Sequence, residues 1–130
     1  MSIPLDLLKE YLSNIKDTGA VSQLFAEHGV IELPYLSSLG FPSRAQGPKE
    51  IKAWLDNVIT AFENFEFSNL NIYIEAGNQV FAEYEVHTKV IATGKPFDHL
   101  YMGRLVAQDE KIVLLRESLN TVVTLQAFSN

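Results

Sequence analysis

Residues 79–120 read QVFAEYEVHTKVIATGKPFDHLYMGRLVAQDEKIVLLRESLN, and this stretch decides the fold of the chain. Its alternating pattern predicts three antiparallel strands, at Gln79–Ile91, Pro96–Ala107 and Lys111–Asn120. The segments ATGK (92–95) and QDE (108–110) supply turn-forming residues between the strands. Two carboxylates, Asp98 and Glu117, lie inside otherwise apolar strand segments, and they are the chemical clue in this region.

A first helix is predicted near the beginning of the chain. Ser2 and Pro4 mark its start, because serine caps free backbone N–H groups and proline is tolerated in a first turn. Tyr11 lies at the flank of its apolar stripe, and Asp17-Thr18-Gly19 is predicted to end it. The stripe consists of Leu5, Leu8, Leu12 and Ile15.

Short elements and a long loop are predicted between the first helix and residue 48. A second helix covers Ala20–Ala26. A brief strand, Val30–Leu33, stops at Pro34, which cannot donate a hydrogen bond to a sheet. Residues Tyr35–Gly47 are rich in glycine, proline and serine and are predicted to form a loop. Loops of this length often bind ligands or act as lids.

The clearest helix in the sequence begins at Pro48. Apolar side chains recur along it at helical spacing and form a wide face that suits packing on a sheet. These residues are Ile51, Trp54, Leu55, Val58, Ile59 and Phe62. A further strand follows, with Leu70, Ile72 and Ile74 on one face. The tail, Thr121–Asn130, is predicted to be either a strand extension or a short helix.

Helices followed by a run of antiparallel strands are typical of an α+β domain. We expect a single domain over residues 1–130, because a chain of this length buries a core without disulfides or metals. A sheet of this size, with three helices on one face, is expected to curl around them into a cone that contains a cavity.

The composition argues against several classes of function. The net charge is −6 and no basic cluster occurs, so nucleic acid is not an expected partner. The absence of cysteine, together with three histidines that lack paired ligand spacing, argues against a zinc or iron site. No apolar run approaches the roughly 20 residues that cross a membrane, and the first residues do not resemble a signal peptide. We therefore expect a cytoplasmic protein that binds small molecules or protein partners.

Three motifs carry a resemblance to a known family. They are LFAEHGVIELP (24–34), GPKEI (47–51), and TGKPFDH (93–99) with Lys111-Ile112 and Arg116-Glu117. They resemble, respectively, the first strand, the start of the third helix and the closing hairpins of the SnoaL-like, or ketosteroid-isomerase-like, branch of the nuclear transport factor 2-like superfamily. The resemblance covers nearly the whole chain.

This resemblance implies a fold but no single activity. The expected fold is the cystatin-like, cone-shaped roll, in which a curved antiparallel sheet wraps around three N-terminal helices. Members commonly form homodimers through the outer face of the sheet. Because members include isomerases, cyclases, dehydratases, hydrolases and proteins without activity, the fold alone does not determine the reaction.

The resemblance also implies roles for individual residues. Pro96-Phe97-Asp98-His99 is similar to the ketosteroid isomerase segment in which a neutral Asp donates a hydrogen bond to the developing oxyanion. Tyr11 is similar to the first-helix Tyr that shares this role. The general-base Asp of that enzyme corresponds to Leu33, which cannot accept a proton. Glu117 instead resembles the pocket Glu of phenazine-biosynthesis A/B-type members.

The direction of Asp98 depends on the length of the turn that precedes it. A two-residue turn leaves Asp98 on a solvated face opposite Lys89. A three-residue loop, Thr93–Lys95, shifts the register by one residue and turns Asp98 into the cavity. The side chains that would accompany it there are Leu100 and Met102. The residues leave both alternatives open, and the family resemblance favours the three-residue loop.

Glu117 has leucine neighbours on its own face of the last strand, so we expect it to enter the cavity. Burial, and a second carboxylate nearby, would raise the pKa of both Asp98 and Glu117. Such a pair can divide the roles of acid and base. A structural ion pair between Glu117 and Arg104 or Arg116 is the alternative.

The candidate site residues follow from these assignments. The catalytic candidates are Asp98, Glu117 and Tyr11. The ligand-binding candidates are Tyr35, Phe41 and Arg44 on the long loop, Trp54 on the third helix, and Tyr84, Val86, Thr88, Leu100, Met102, Leu115 and Leu119 on the strands. Tyr11 and Trp54 also fit the packing stripes of their helices, so a core position is the alternative for both. The outer face expected at a dimer interface contains Phe81, His87, His99 and Tyr101.

Three hypotheses about function follow. The first is a cofactor-independent isomerase, cyclase or dehydratase that acts on a small apolar ligand with a carbonyl group. Asp98 and Tyr11 would polarise the oxygen, and Glu117 would move the proton. The second is a small-molecule-binding protein of the same fold without activity. The third is a dimeric scaffold in which side chains fill the cone.

Overall fold

A six-stranded curved sheet with helices on its inner face forms the protein, seen here in a computed structural model that describes residues 3–130. The helices are α1 (Ile3–Ser13), α2 (Thr18–Ser22), α3 (Pro48–Thr60) and α4 (Thr121–Phe128), with a 3₁₀ helix at Pro34–Leu39. The strands are β1 (Phe25–Glu32), β2 (Arg44–Gln46), β3 (Phe67–Ala76), β4 (Gln79–Lys89), β5 (Pro96–Gln108) and β6 (Lys111–Ser118). The predicted α+β fold class is confirmed. The predicted cap at Ser2 lies outside the described residues.

The strand order across the sheet is β2-β1-β6-β5-β4-β3. In the part of the chain that the structure describes, only β1 and β6 pair in parallel, and the other neighbours are antiparallel. Leu8 of α1 and Ile51 of α3 are fully buried and pack with inward-facing strand residues in one core. Among residues 3–130, no helix is long and apolar enough to cross a membrane.

The predicted second helix is wrong in its extent. It ends at Ser22, and residues 25–26 already belong to β1. The helix starts early because the Asp17 side chain caps it by accepting from the Ala20 N–H at 3.1 Å. The apolar run that follows suits a continued helix, but Phe25 instead pairs with Ile112 of β6. Strand β1 is therefore longer than the predicted Val30–Leu33.

The predicted loop at 35–47 contains regular structure at both ends. Pro34 begins the 3₁₀ helix, which ends at Leu39 and is followed by its C-cap, Gly40, with a φ of +78°. Strand β2 then pairs antiparallel with the end of β1, with Ala45 opposite Ile31. Of the two alternatives for the tail, a strand extension or a short helix, the structure has the helix, α4. The Asn120 side chain caps it by accepting from the N–H groups of Val122 and Val123.

Strands β4 and β5 are joined by residues 90–95, in which Val90 and Lys95 pair and leave a loop of four residues at 91–94. The Val90 N–H donates to the Lys95 carbonyl at 3.0 Å, and Gly94 takes a φ of +69°. His87 lies opposite Asp98 in the resulting register. Neither turn length considered from the sequence occurs. The register differs from that of the two-residue turn by an even number of residues, so each side chain faces as in that alternative.

The prediction that Asp98, Leu100 and Met102 face the cavity is wrong. The Asp98 side chain is 65% exposed and forms an ion pair with His87 on the outer face, at 2.9 Å. Leu100 and Met102 are exposed on the same face. Since alternate residues of a strand face opposite ways, His99 and Tyr101 point inward and are buried, so their assignment to the outer face is also wrong.

Candidate functional site

A cavity of about 230 Å³ lies between the inner face of the sheet and the helices. Most of its wall is apolar, and much of it is aromatic. The aromatic residues are Tyr11, Phe41, Trp54, Phe62, Phe65, Phe67, Phe97, Tyr101 and Phe128. The hypothesis of a scaffold with a filled cone is therefore wrong, because the cone leaves room for a small molecule.

Among the described residues that line the cavity, Glu117 of β6 is the only charged one. Its side chain points inward beside buried Leu115, and the residue is only 4% exposed. The alternative of an ion pair with an arginine is wrong. Arg116 pairs with Glu32 at 2.7 Å, and Arg104 donates to the Gln79 side chain at 2.8 Å. The prediction that Glu117 enters the cavity therefore agrees with the structure.

Tyr84 holds the Glu117 carboxylate from two strands away. Its hydroxyl donates to Glu117 Oε2 at 2.5 Å. Because β5 lies between β4 and β6, the phenol has to cross β5, and it does so over Gly103. A Cβ at Gly103 would lie 2.0 Å from Tyr84 Oη. A glycine within a strand here marks the close approach of a neighbouring group.

The environment of Glu117 places its titration near neutrality. Burial raises its pKa to about 7, and the hydrogen bond from Tyr84 opposes this rise. Both protonation states are therefore populated near neutral pH, which suits a group that alternates between base and acid. Within residues 3–130 the carboxylate has no other hydrogen bond, so Oε1 is free to act on a ligand.

Two further tyrosines bring hydroxyl groups to the same cavity. Tyr11 of α1 and Tyr101 of β5 are 2% and 6% exposed, and both line the cavity. Burial and the charge of Glu117 raise the pKa of both phenols well above the usual value. They therefore stay protonated as hydrogen-bond donors. Neither hydroxyl has a partner within residues 3–130, which leaves both available to an acceptor in the cavity.

His99 fixes the wall beside Tyr101. Its ring packs between Phe97 and Tyr101, with ring centroids 4.7 and 4.6 Å apart. Its Nε2 accepts from the Asn120 backbone N–H at 2.9 Å, which joins β5 to the start of α4. Burial lowers the pKa of His99 to about 4, so the ring is neutral and carries its proton on Nδ1. His99 thus positions Tyr101 without adding a charge.

Comparison with known proteins identifies the family. Residues 11–115 match the SnoaL-like domain. The chain belongs to this family. A relative in Bacillus subtilis (strain 168), the uncharacterized protein YesE, is 30% identical over 114 residues, which are 87% of this chain and 77% of the relative.

Solved structures agree with this assignment. A Bacillus subtilis protein named "Putative Isomerase" is 27% identical, with a TM-score of 0.86 over 97% of this chain and 92% of its own. A phenazine biosynthesis-related protein of Pseudomonas aeruginosa is 20% identical, with a TM-score of 0.83 over 96% of this chain and 84% of its own. The predicted family resemblance is therefore confirmed. The second structure shows the fold alone and transfers no role to Glu117.

The predicted ligand-binding residues of this SnoaL-like domain that remain to be placed fall into four groups. Those that line the cavity are Phe41, Trp54 and Leu119. Those buried in the core without lining it are Tyr84, Val86 and Leu115. Thr88 faces inward at the end of β4, where its hydroxyl accepts from the Asn64 N–H. Tyr35 and Arg44 are exposed and do not line the cavity, so their prediction as residues of a ligand-binding cavity is wrong.

The residue that sequence reasoning missed is Tyr101. A signal for its direction was present in β5, because two charged residues, Asp98 and Arg104, share one face of that strand. The other face carries Phe97, His99, Tyr101, Gly103 and Leu105, which are all buried. Leu33, which corresponds by resemblance to the general-base Asp of ketosteroid isomerase, also lines the cavity. Among the described residues that line the cavity, the carboxylate is thus on β6 rather than at the end of β1.

Proposed function

We propose that this SnoaL-like domain is an enzyme that moves a proton on a small, apolar carbonyl compound without a cofactor. The observation that carries the proposal is Glu117, a buried carboxyl that titrates near neutrality in an aromatic cavity. A buried ionisable group with a strongly shifted pKa in a cavity is a recognised mark of acid/base sites. Tyr11 supports the proposal as a donor toward the ligand oxygen.

The proposed step follows from the chemistry of these groups. The ionised Glu117 takes a proton from the carbon next to the carbonyl. The C–H electron pair forms a C=C bond, and the carbonyl oxygen takes the negative charge. Donors that meet this oxygen stabilise the enolate. Protonated Glu117 then returns the proton to another carbon, which isomerises the ligand, or to a leaving hydroxyl, which dehydrates it.

Tyr101 replaces Asp98 in this proposal. Asp98 lies on the outer face beside His87 and cannot reach the cavity. Tyr101 has an unpartnered hydroxyl on the cavity wall and is close enough to Glu117 for the carboxylate to affect its pKa. We therefore assign the polarising role to Tyr11 and Tyr101 together.

A binding protein without activity is the second candidate. The observation that favours it is Leu33, since a leucine stands where ketosteroid isomerase carries its base. The two candidates predict different outcomes in a single experiment, because binding requires the cavity while proton transfer also requires the Glu117 carboxylate.

The experiment follows hydrogen exchange in a model ketone. β-Acetonaphthone in deuterated buffer exchanges its methyl protons through an enolate, and proton NMR measures the rate. We expect the protein to accelerate this exchange with saturation. Glu117→Gln, which keeps an acceptor for Tyr84 but cannot take a proton, should reduce the rate about 100-fold or more.

The control is Glu83→Gln, which makes the same chemical change on the outer face of β4. It should exchange at the wild-type rate. Saturable binding of the ketone without any acceleration would rule out the enzyme and leave the binding protein. Dimerisation through the outer face stays a prediction, with Leu100 and Met102 now joining Phe81 and His87 on that face.

A further inference from the structure

The charge distribution of the cavity disfavours anionic ligands. Within residues 3–130, the only charged group that lines it is the Glu117 carboxyl, and no lining residue is a lysine, arginine or histidine. The cations elsewhere are engaged or distant. Arg116 pairs with Glu32, Lys95 donates to the Ser129 carbonyl, and Arg44 is exposed on β2. An anionic ligand would therefore lose its hydration beside a carboxylate, with no cation in compensation.

The apolar wall favours a flat, unsaturated ligand. Phe62 contacts three other rings, with centroid distances of 4.7 Å to Phe97, 5.2 Å to Phe65 and 5.7 Å to Phe128. The rings of Phe41 and Phe128 are also in contact, with their centroids 5.6 Å apart. Aromatic rings pack best against other rings in tilted or offset arrangements, and several such partners are present here.

The volume limits the size of the ligand. A dry cavity of about 150 Å³ holds benzene. The present cavity, at about 230 Å³, exceeds that benzene-sized cavity by roughly the volume of one more fused ring, or of substituents of the same size. A four-ring skeleton would have to extend beyond this volume into solvent.

The polar end of the cavity requires an acceptor. The hydroxyl groups of Tyr11 and Tyr101 remain protonated and have no partner within the described residues. Both residues line the cavity, so a ligand that brings an acceptor to their hydroxyl groups gains hydrogen bonds there. A carbonyl oxygen satisfies both hydroxyls at once, because it has two lone pairs.

We infer that the ligand of this cavity is an uncharged, planar compound of about two fused rings with one carbonyl oxygen between Tyr11 and Tyr101. Carboxylates of the same shape are rejected. The inference rests on the proposed function only in taking Glu117 as the group next to the reacting carbon. The charge, size and acceptor requirements follow from the cavity itself.

A matched pair of probes tests the charge requirement. β-Acetonaphthone and β-naphthoate have nearly the same shape, and only the second is an anion. Titration calorimetry at about pH 8, where Glu117 is mostly ionised, should show the ketone binding about 10-fold tighter or more. In Glu117→Gln this preference should shrink, because the like charge is gone. Glu83→Gln should keep the wild-type preference.

A second pair tests the acceptor requirement. β-Isopropylnaphthalene replaces the carbonyl oxygen of the ketone with a methyl group. Tyr101→Phe should weaken ketone binding about 5-fold, as expected for loss of one hydrogen bond, and leave the hydrocarbon unaffected. Equal losses for both probes would show a packing effect and overturn the role of the hydroxyl.

The ligand class and the proposed function fail in different ways. Naphthoate binding as tightly as the ketone, or no saturable binding of either probe, would overturn the ligand class. If the ketone bound more tightly than the naphthoate but its proton exchange were not accelerated, the proposed enzyme activity would be wrong and the ligand class would still hold.

Discussion

Gly103 and Tyr84 act as one unit in the site. The phenol of Tyr84 reaches Glu117 by crossing β5 where Gly103 has no side chain, and a Cβ there would lie 2.0 Å from Oη and 2.8 Å from Cζ. Tyr84 is fully buried. The position of the Glu117 carboxylate therefore depends on Gly103, a residue that does not line the cavity.

Gly103→Ala should raise the pKa of Glu117 further. The added methyl group displaces the Tyr84 phenol, and the hydrogen bond that lowers the carboxyl pKa is weakened. Overpacking should also lower the free energy of unfolding by about 1–3 kcal/mol. Carbon NMR of the carboxyl group over a pH series measures the first effect.

Tyr84→Phe is the matched variant for this prediction. It removes the same hydrogen bond without adding volume, so it should raise the Glu117 pKa in the same direction. A Glu117 pKa unchanged in both variants would contradict the argument that Tyr84 tunes this group.

The direction of a single side chain could be predicted from the sequence where the two faces of its strand differ clearly in polarity. Glu117 could be predicted to be buried because Leu115 and Leu119 share its face. The same reasoning failed for Asp98 and Tyr101, because their direction depends on a register that local residues do not determine.

The hairpin of β4 and β5 is the element that decides the site. Its sequence fits turns of two, three or four residues, and the pairing of Val90 with Lys95 selects the longest. A change of one residue in the turn would exchange the two faces of β5. The long periodic elements were easier to predict, since the stripe of α3 and the three strands at 79–120 repeat over many residues. Short elements such as β2 carry too few residues for a pattern.

The outer face of this hairpin offers a direct test of the register. Asp98 contributes most to the raised pKa of His87, followed by Glu85, whose carboxylate lies 2.9 Å from the other ring nitrogen. Asp98→Asn should therefore lower the pKa of His87, and Glu85→Gln should lower it less. NMR titration of the imidazole ring measures both shifts. If the pKa of His87 did not change in Asp98→Asn, Asp98 would not lie beside His87, and the register would be the one that turns Asp98 into the cavity.

For the whole molecule, two buried groups bias stability in opposite directions as pH changes. Glu117 has a pKa of about 7 when folded and 4.5 as its ordinary value, so between these values the unfolded state has lost a proton that the folded state keeps. Stability therefore falls as pH rises through this window. His99 has a folded pKa of about 4, below its ordinary 6.5, so it makes stability rise with pH from about 4 to 6.5. The two effects partly cancel in the wild-type protein.

Glu117→Gln should reveal the opposing contribution of His99. Between pH 4.5 and pH 8, the unfolding free energy of the wild type should fall by about 3 kcal/mol relative to that of Glu117→Gln. The reason is that the pKa of Glu117 is about 7 in the folded protein and 4.5 in the unfolded chain, so ionisation favours the unfolded state. Urea unfolding across that range measures the difference, in which contributions from all other groups cancel. The variant alone should become more stable as pH rises to about 6.5, through His99. A constant difference would mean that the Glu117 carboxyl is hydrated in the folded protein, and the acid/base proposal would lose its physical basis.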